Sequence, residues 1–473
     1  MIYLIGAGPG DSGLLTLRGY EILKKADVVI FDRLVGEGIL AMISENAEKI
    51  DVGKIAGFHK VSQREIEKII IEKAKIDSKK IIVRLKGGDP FLFGRGGEEA
   101  EAIIEAGLEF EIIPGVSSAL AVPAYAGIPV THRNFSSGVS IFTAHDKNNL
   151  VPDFENSTQI FLMGIGNAKE LQKKLLEKFS PETHCAIISN GTTAREKIIR
   201  TSLKNLSEAA GKIQSPAIII FGNVANLNFN WRKNLPLKNK RILITRPAGR
   251  GEKLASMLRD AGAEVIVMPT IKTSVIKNSL DDKNLSGYEY IAFTSVTGVE
   301  ALFELLRKNN RDVREIGNAK IAAIGKATAE ALENHGLKVD FIPEIFDGEN
   351  LARGLVNKNA KKILMFRALD GTPEINKIFE KNGVSYDEIC VYKTDFVKLT
   401  HIPENLDIII FTSASTVRGF VANVDNLREV KAICIGRQTA DEAKRNGFIN
   451  IEIAKKATIE EIFNTVMKGE NTK

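Results

Sequence analysis

The chain has 473 residues, 44% of them hydrophobic and 26% charged, and 65 Lys+Arg against 59 Asp+Glu leave a formal charge of +6. At roughly 100–200 residues per domain that length holds two to four domains, and the average composition excludes long-range disorder and a fibrous repeat. The small basic excess is spread over both halves with no lysine–arginine tail, so the footprint of a nucleic-acid binder is missing, while a pocket for small anionic substrates is suited.

From the N-terminus, Met1-Ile2-Tyr3-Leu4-Ile5 runs straight into glycines, without the charged and long apolar parts of a signal peptide. No apolar run approaches the ~18 residues that span a bilayer, and a cytoplasmic protein without membrane contact is expected. Short β-branched runs at 2–5, 27–31, 81–85, 140–143 and 159–163 alternate with charged amphipathic stretches, the signature of βα units and mostly parallel sheets. The stretch 63–74 predicts a helix, with Ile66, Ile69 and Ile70 at i, i+3 and i+4. Cys185, Cys390 and Cys434 lie far apart in apolar runs with no C-x-x-C spacing, as core thiols of a reducing compartment do. The pattern lapses over 223–240, which holds several asparagines, a proline, cations and the only tryptophan. A linker is predicted there, with a new strand at 241–245.

Two glycine loops in the first half bear on chemistry. Gly6-Ala7-Gly8-Pro9-Gly10-Asp11 follows the first strand but fails the G-x-G-x-x-G pattern, because Asp11 stands in place of the third glycine and Pro9 removes a backbone donor. Gly87-Gly88-Asp89-Pro90-Phe91 is more informative. Its glycines let the backbone approach a ligand closely, and an aspartate at a strand's carboxyl end suits a cationic or hydroxyl-rich partner such as a sulfonium amino acid or a ribose. The segment then opens a helix, with Arg95 able to meet a carboxylate. The six histidines (His59, His132, His145, His184, His335 and His401) show no metal-ligand spacing, and no metal is expected.

Further blocks occur in order: Leu15-Thr16-Leu17-Arg18-Gly19, Phe31-Asp32-Arg33-Leu34-Val35, Val52-Gly53-Lys54, the whole of 84–99, Pro114-Gly115-Val116-Ser117-Ser118 and Gly127-Ile128-Pro129-Val130-Thr131-His132-Arg133. With the glycine loops they make residues 1–225 resemble the tetrapyrrole (corrin/porphyrin) methylases, most closely uroporphyrinogen-III C-methyltransferase. The resemblance implies two α/β subdomains that bind S-adenosylmethionine folded in the cleft between them, and a homodimer through this domain. Position by position it implies Pro9, Gly87, Gly88, Asp89, Leu92, Ser117, Ser118, Met163 and Gly191 as cofactor-binding, Asp32 as proton acceptor and Lys54 as proton donor; Ser117-Ser118 departs from the Thr-Ala common in that family. Arg95, His132 and Arg133, with His59, are candidates to touch substrate carboxylates. Methylating a pyrrole carbon leaves a cation that is relieved by moving protons, which a carboxylate can take and a desolvated lysine can give.

The second half contains an internal duplication. Ile242-Leu243-Ile244-Thr245-Arg246 recurs as Ile363-Leu364-Met365-Phe366-Arg367, and Lys272-Thr273 as Lys393-Thr394, both at an offset of 121. Phe293-Thr294-Ser295 recurs as Phe411-Thr412-Ser413 and Ile324-Gly325-Lys326-Ala327-Thr328-Ala329 as Ile435-Gly436-Arg437-Gln438-Thr439-Ala440, at 118 and 111. Two similar lobes facing a cleft follow. Strand ends leading into helix starts offer unsatisfied N–H groups and hydroxyls, seats for anions, which makes Thr294, Ser295, Thr328, Ser413 and Thr439 candidates to hold the carboxylates of a flat polyanion.

Leu243-Ile244-Thr245-Arg246-Pro247, Phe293-Thr294-Ser295 with Gly298-Val299, the 323–329 block, Val391-Tyr392-Lys393-Thr394 and Ile435-Gly436 resemble uroporphyrinogen-III synthase over about 240–468. The resemblance implies a two-lobed α/β fold joined by a two-strand ladder, with a discontinuous first lobe at about 240–273 and 394–473, the second at about 274–393, and residues 226–239 as the linker. It also implies Tyr392 as a cleft tyrosine able to assist the leaving hydroxyl. The expectation is a bifunctional enzyme that cyclises hydroxymethylbilane to uroporphyrinogen III and methylates it twice to precorrin-2, towards sirohaem or cobalamin. The rivals are another methylase of the superfamily, acting on a later corrinoid or on RNA, and a rear half that only binds tetrapyrroles as a regulatory module.

Overall fold

The computed structural model describes residues 1–53, 61–143, 157–247, 249–371, 373–399, 401–424 and 426–469. Its strands form four five-stranded sheets. The first takes β1 (Ile2–Gly6), β2 (Val28–Phe31), β3 (Glu48–Asp51), β4 (Ile82–Lys86) and β5 (Phe110–Ile113), all parallel in the order β3-β2-β4-β1-β5. The second takes β6 (Gly138–Thr143), β7 (Ser157–Leu162), β8 (His184–Ser189), β9 (Lys197–Ser202) and β10 (Ala217–Phe221), in the order β6-β7-β10-β8-β9, with only β6 and β7 parallel. Strands such as β2 and β10 are continuous runs of β-branched and aromatic side chains because both faces are covered.

Between β3 and β4 lies a helix, Gln63–Ile76, two residues longer than the periodicity predicts. Ser62 and Glu65 close a capping box at its start, and its apolar stripe buries Ile66, Ile70 and Ala74 in the sheet's core.

The second half takes β11 (Arg241–Ile244), β12 (Glu264–Val267), β13 (Ile271–Val275), β14 (Tyr290–Phe293), β15 (Lys320–Ala323), β16 (Lys362–Ala368), β17 (Ser385–Phe396), β18 (Ile408–Phe411), β19 (Lys431–Cys434) and β20 (Ile451–Ile453). One sheet runs β12-β11-β18-β19-β20, the other β13-β17-β16-β14-β15. The duplicated segments therefore exchange places. Each sheet takes its opening strand from one repeat (β11 or β16) and its next pair from the other (β18-β19 or β14-β15). Where the chain crosses between lobes, β13 and β17 form an antiparallel ladder in which Thr273 pairs with Thr394, its own counterpart in the duplication.

The segment predicted as a linker is packed rather than loose. Trp231 donates from Nε1 to Ala124 O at 2.8 Å and meets Tyr125 edge to face. Leu237 is fully buried in the core of the lobe that begins at β11. Aromatic and apolar side chains inside a polar run pull it onto both neighbours.

The halves meet at the foot of that lobe. Arg241 opens β11 and donates from Nη2 to Glu37 at 2.6 Å. Glu264 opens β12 and accepts from the Ala194 N–H at 2.9 Å. Arg195 pairs with Asp407, beside β18, at 3.5 Å, and Ala41 packs against the lobe's core.

At this junction Glu37 also meets His401 Nε2 at 3.0 Å. That bond, and beyond it the Glu37 and Glu404 charges, raise the His401 pKa against desolvation and the Arg241 charge. A raised folded pKa gives a contribution complete below the unfolded value, about 6.5, and lost as pH rises through the folded one. The thermal midpoint of the full chain should therefore fall from pH 6 to pH 8 by a component that His401→Gln removes. Parallel melting curves for the two proteins across that window would refute it.

Candidate active sites

The first site is built at the carboxyl ends of parallel strands, where α/β sheets open their crevices. Three backbone segments interlock there. Gly8 and Gly88 exchange N–H···O bonds of 3.1 and 2.7 Å. Gly115 has no room for a side chain, since a Cβ would sit 2.2 Å from Gly88 O. The Asp89 carboxylate ties the segments together: Oδ1 accepts from the Phe91 and Leu92 N–H groups at 2.9 and 3.1 Å, and Oδ2 from Gly115 N–H at 3.0 Å. Asp89 thus spends hydrogen-bonding capacity on holding the loops. The sequence suggests only a charge facing a ligand.

The remaining candidate cofactor residues surround this knot. Pro9 is part of the first loop. Ser117 caps the helix Ser118–Tyr125 by accepting from Ala119 N–H at 3.2 Å. Gly191 lies against Val122 of that helix, where a Cβ would come within 2.3 Å, and Leu92 packs on the second sheet's core. Met163 falls just beyond β7, at φ 56° and 44% exposed, instead of ending the predicted strand. Asn190 and Thr192, on either side of Gly191, also hold positive φ. Strained backbone of this kind persists only where its surroundings over-determine it.

Asp32 follows β2. Its Oδ2 accepts from Arg84 Nη2 at 3.2 Å, while its Oδ1 is buried without a hydrogen-bond partner among the described residues. Arg84, 2% exposed in β4, also donates from Nε to Glu99 Oε1 at 3.0 Å. Lys86 Nζ reaches the same oxygen at 2.8 Å. Desolvation, and then the Arg84 charge, lower the Lys86 pKa, with Glu99 opposing. Sequence reasoning gave these three residues no role. The signal was present: a cation alternating through an apolar strand, as Arg84 and Lys86 do, requires a buried anion. Lys54 and His59 lie outside the described residues, as does His145.

Three substrate candidates stand apart from this knot. Arg95, at φ 59°, pairs with Glu98 at 3.0 Å on an exposed helix start. His132 packs against Phe135 with tilted rings and accepts the Asn134 N–H at its own Nδ1, with the exposed Arg133 beside it.

The second site lies at the carboxyl ends of the lobe strands. Four helices begin there: Val296–Lys308 and Lys326–Asn334 after β14 and β15, and Ala414–Val421 and Arg437–Arg445 after β18 and β19. Ser295 and Ser413 cap their own helices, accepting from Gly298 N–H at 3.0 Å and Thr416 N–H at 3.2 Å. Thr328 and Thr439 are each 4% exposed within the first turns. Gly325 and Gly436 cap without a side-chain bond, so backbone N–H groups carry the anion-binding capacity. Thr294 is half-buried at the end of β14.

Tyr392 shares a 3.0 Å hydrogen bond with Ser295 Oγ. Two arginines that sequence reasoning left without a role complete this region. Arg250 donates from Nη1 to Thr297 at 2.7 Å, linking the loop after β11 to the helix after β14 across the lobes. Arg246 has a buried Nη1 without a partner among the described residues, and desolvation, with the Arg250 charge, lowers its pKa. Among the described residues no group of three His, Cys, Asp or Glu could hold a metal ion, and no helix is long and apolar enough to cross a membrane.

Residues 252–464 match the sequence model of uroporphyrinogen-III synthase HemD, and residues 1–207 that of the tetrapyrrole (corrin/porphyrin) methylases. The porphyrin biosynthesis protein HemD of Ruminiclostridium josui is 39% identical, over 99% of this chain and 97% of that protein. The uroporphyrinogen-III C-methyltransferase of Bacillus subtilis (strain 168) is 36% identical, over 72% of this chain and 73% of its own length. A crystal structure of uroporphyrin-III C-methyl transferase from Thermus thermophilus complexed with S-adenyl homocysteine is 35% identical over 48% of this chain and 93% of its own, with a TM-score of 0.41.

Two outcomes are expected of these sites. Glu99→Ala strands two buried cations and should destabilise the first half by about 3–5 kcal/mol in denaturant unfolding; a loss below ~1 kcal/mol would show that the cations relax to solvent. Burial pushes the Tyr392 phenol above its ordinary value, against partial opposition from Ser295 and the nearby arginines. It should therefore remain a proton donor to about pH 10, and any activity that needs it should be level to about pH 9. An alkaline decline that Tyr392→Phe abolishes would contradict this.

Proposed function

The chain belongs to the porphyrin biosynthesis proteins that join a tetrapyrrole methylase to a uroporphyrinogen-III synthase, and on that premise we propose how its residues divide the work. It is a bifunctional enzyme of tetrapyrrole biosynthesis, a uroporphyrinogen-III synthase and a uroporphyrinogen-III C-methyltransferase. In our reading residues 240–473 close hydroxymethylbilane to uroporphyrinogen III, and residues 1–225 methylate it twice to precorrin-2 for sirohaem or cobalamin. Residues 226–239 join the two, and the protein acts in the cytoplasm as a homodimer through its first half.

The methyl donor is S-adenosylmethionine, which brings an already activated sulfonium. The glycine knot fits such a group. Gly88 stands at φ +71° and a Cβ there would meet nothing within 4 Å, which leaves open space directly against the backbone. Pro9, Gly87, Gly88, Asp89, Leu92, Ser117, Ser118, Met163 and Gly191 are the residues we assign to it. The observation that carries the methylase reading is the state of Asp32. One oxygen is fixed by Arg84 and the other has no partner among the described residues, so a carboxylate is held in place with an oxygen left to accept a proton from the methylated ring. Lys54 is assigned the return of a proton, and Arg95, His132 and Arg133 the substrate carboxylates.

Ring closure in the second half requires loss of a hydroxyl and capture of the resulting cation. The substrate supplies most of that chemistry, so the enzyme's task is to hold the bilane curled and assist departure of water. Tyr392, protonated and hydrogen-bonded to Ser295, is assigned that assistance. The four helix starts, with Arg246 and Arg250, are assigned the carboxylates; Thr294, Ser295, Thr328, Ser413 and Thr439 belong to those starts.

Purified protein given hydroxymethylbilane and S-adenosylmethionine under anaerobic conditions should yield a dimethylated product. Absence of that product with authentic substrates would overturn the assignment, and bilane bound but not closed would identify the rear half as a sensor. Asp32→Asn should lower methylation, and Tyr392→Phe cyclisation, by about 100-fold each, and neither should alter the other activity.

A further inference from the structure

We infer that the synthase half is a working part of the methylase site: Arg241 and Glu264, at the foot of the first synthase lobe, are positioning residues for methyl transfer. The inference rests on the methylase reading above and concerns residues no closer to the chemistry than the junction.

Two methylase segments end in these contacts. The first leaves Asp32 and reaches Glu37 within five residues. It has no slack, because a Cβ on Gly36 would lie 2.5 Å from Gly10 O and one on Gly87 would lie 2.7 Å from Leu34 Cβ. Glu37 is then gripped from the synthase side, at 2.6 Å by Arg241 and at 3.0 Å by His401. The second segment leaves Gly191 and reaches Ala194 within three residues. Thr192, at φ 69°, receives the Asp11 N–H at its Oγ1 and donates its own N–H to Glu196. Ala194 N–H is held at 2.9 Å by Glu264 Oε2.

Glu264 and Arg241 are themselves joined, Nε to Oε1, at 3.0 Å. Their side chains are 16% and 11% exposed, so both restraints meet in one half-buried cluster. Positive φ at Asn190 and Thr192 needs outside restraint to persist, and Glu264 supplies one such restraint from the other half of the chain. A displacement of the Asp32 segment or the Gly191 segment misplaces the acceptor or the donor, and errors of ~1 Å cost up to about 100-fold in rate.

The two contacts predict different kinetic signatures. In the full chain, with uroporphyrinogen III supplied directly, Arg241→Ala should lower kcat for methylation about 10-fold with KM for S-adenosylmethionine little changed. Arg241→Lys should recover part of the loss, and Glu37→Ala should cost less in the Arg241→Ala background than in the parent, where it removes the Arg241 grip as well as the His401 one. Glu264→Ala should instead raise KM for S-adenosylmethionine about 10-fold. Cyclisation of hydroxymethylbilane in the same preparations should stay within about twofold of the parent, because the foot of the lobe lies at the opposite strand ends from its cleft. Parent-like methylation in both alanine variants would overturn the inference, as would a joint fall of both activities by one factor, the mark of general unfolding. A parent protein that fails to methylate would overturn the activity reading itself, and the inference with it.

Discussion

A guanidinium buried in the middle of a parallel sheet is the constraint around which the first half is arranged. Arg84 is 2% exposed, and stranding such a charge costs several kcal/mol. Its five donors dictate where neighbouring elements go. Glu99 must come from the helix Gly96–Glu105 and reach down onto β4, which fixes that helix over the sheet. The strand neighbour β2 must end so that Asp32 meets Nη2, and Ile30 O and Leu85 O take the remaining direction from Nη1. Lys86, two residues on and on the same face, shares Glu99. The proton acceptor we assign is therefore one end of a chain of charges, and the strength of that chain is positional: a carboxylate fixed by a fork-shaped donor has less rotational freedom than one in water.

Much of this could be read in the sequence, for reasons that differ by element. Strands β1 and β2 announce themselves because buried parallel strands are continuous apolar runs, and β4 does so although Arg84 and Lys86 interrupt its apolar residues. The helix Gln63–Ile76 does so because one face must be apolar at a period of 3.6. The junction could not be read. Glu37, Ala194, Arg241 and Glu264 are separated by up to 227 positions, from 37 to 264, and each reads alone as an ordinary solvated surface residue. The sequence places Met163 inside a strand because hydropathy does not report φ; its left-handed backbone ends β7 one residue early. The linker reads as loose because its asparagines, proline and cations leave no apolar period, while the residues that anchor it, Trp231 and Leu237, are two among many.

The duplication is legible as repeats, while its geometric meaning enters only through the resemblance, which implies a discontinuous first lobe and a two-strand ladder. A repeat that folded on itself would give two lobes each made of one copy. Here each copy donates its opening strand to one sheet and its next pair to the other, and the exchange point is the ladder in which Thr273 faces Thr394. An antiparallel pair related by near-symmetry places equivalent residues opposite each other, so equal sequence at an offset of 121 becomes spatial pairing. The same exchange explains why Ser295 and Ser413, and Gly325 and Gly436, occupy equivalent helix starts in opposite lobes. Two facing lobes then present matching rows of backbone N–H groups, with Arg250 from the first reaching across. The hydroxyls proposed from sequence are partly consumed by capping, which is what serine at an N-cap does best. The anion seats we propose are therefore backbone in character, and they depend on helix orientation more than on side-chain identity.

The two halves solve different problems, and the junction reflects the difference. Cyclisation needs a cleft whose lobes can adjust to a flexible chain, so contacts that immobilise its mouth would hinder it. Methyl transfer needs donor and acceptor fixed in line, so added restraint helps. The synthase accordingly docks through the amino ends of β11, β12 and β18, leaving its cleft at the other ends of those strands. An isolated surface ion pair contributes about 0–1 kcal/mol, and Arg241–Glu37 is better shielded than that, with side chains 11% and 20% exposed. Its weight comes from sharing Glu264 and from ending on segments that already carry positive φ and close glycine contacts. A restraint placed where the backbone is least able to hold itself changes geometry more than it changes stability, and geometry is the quantity on which the methylase half depends.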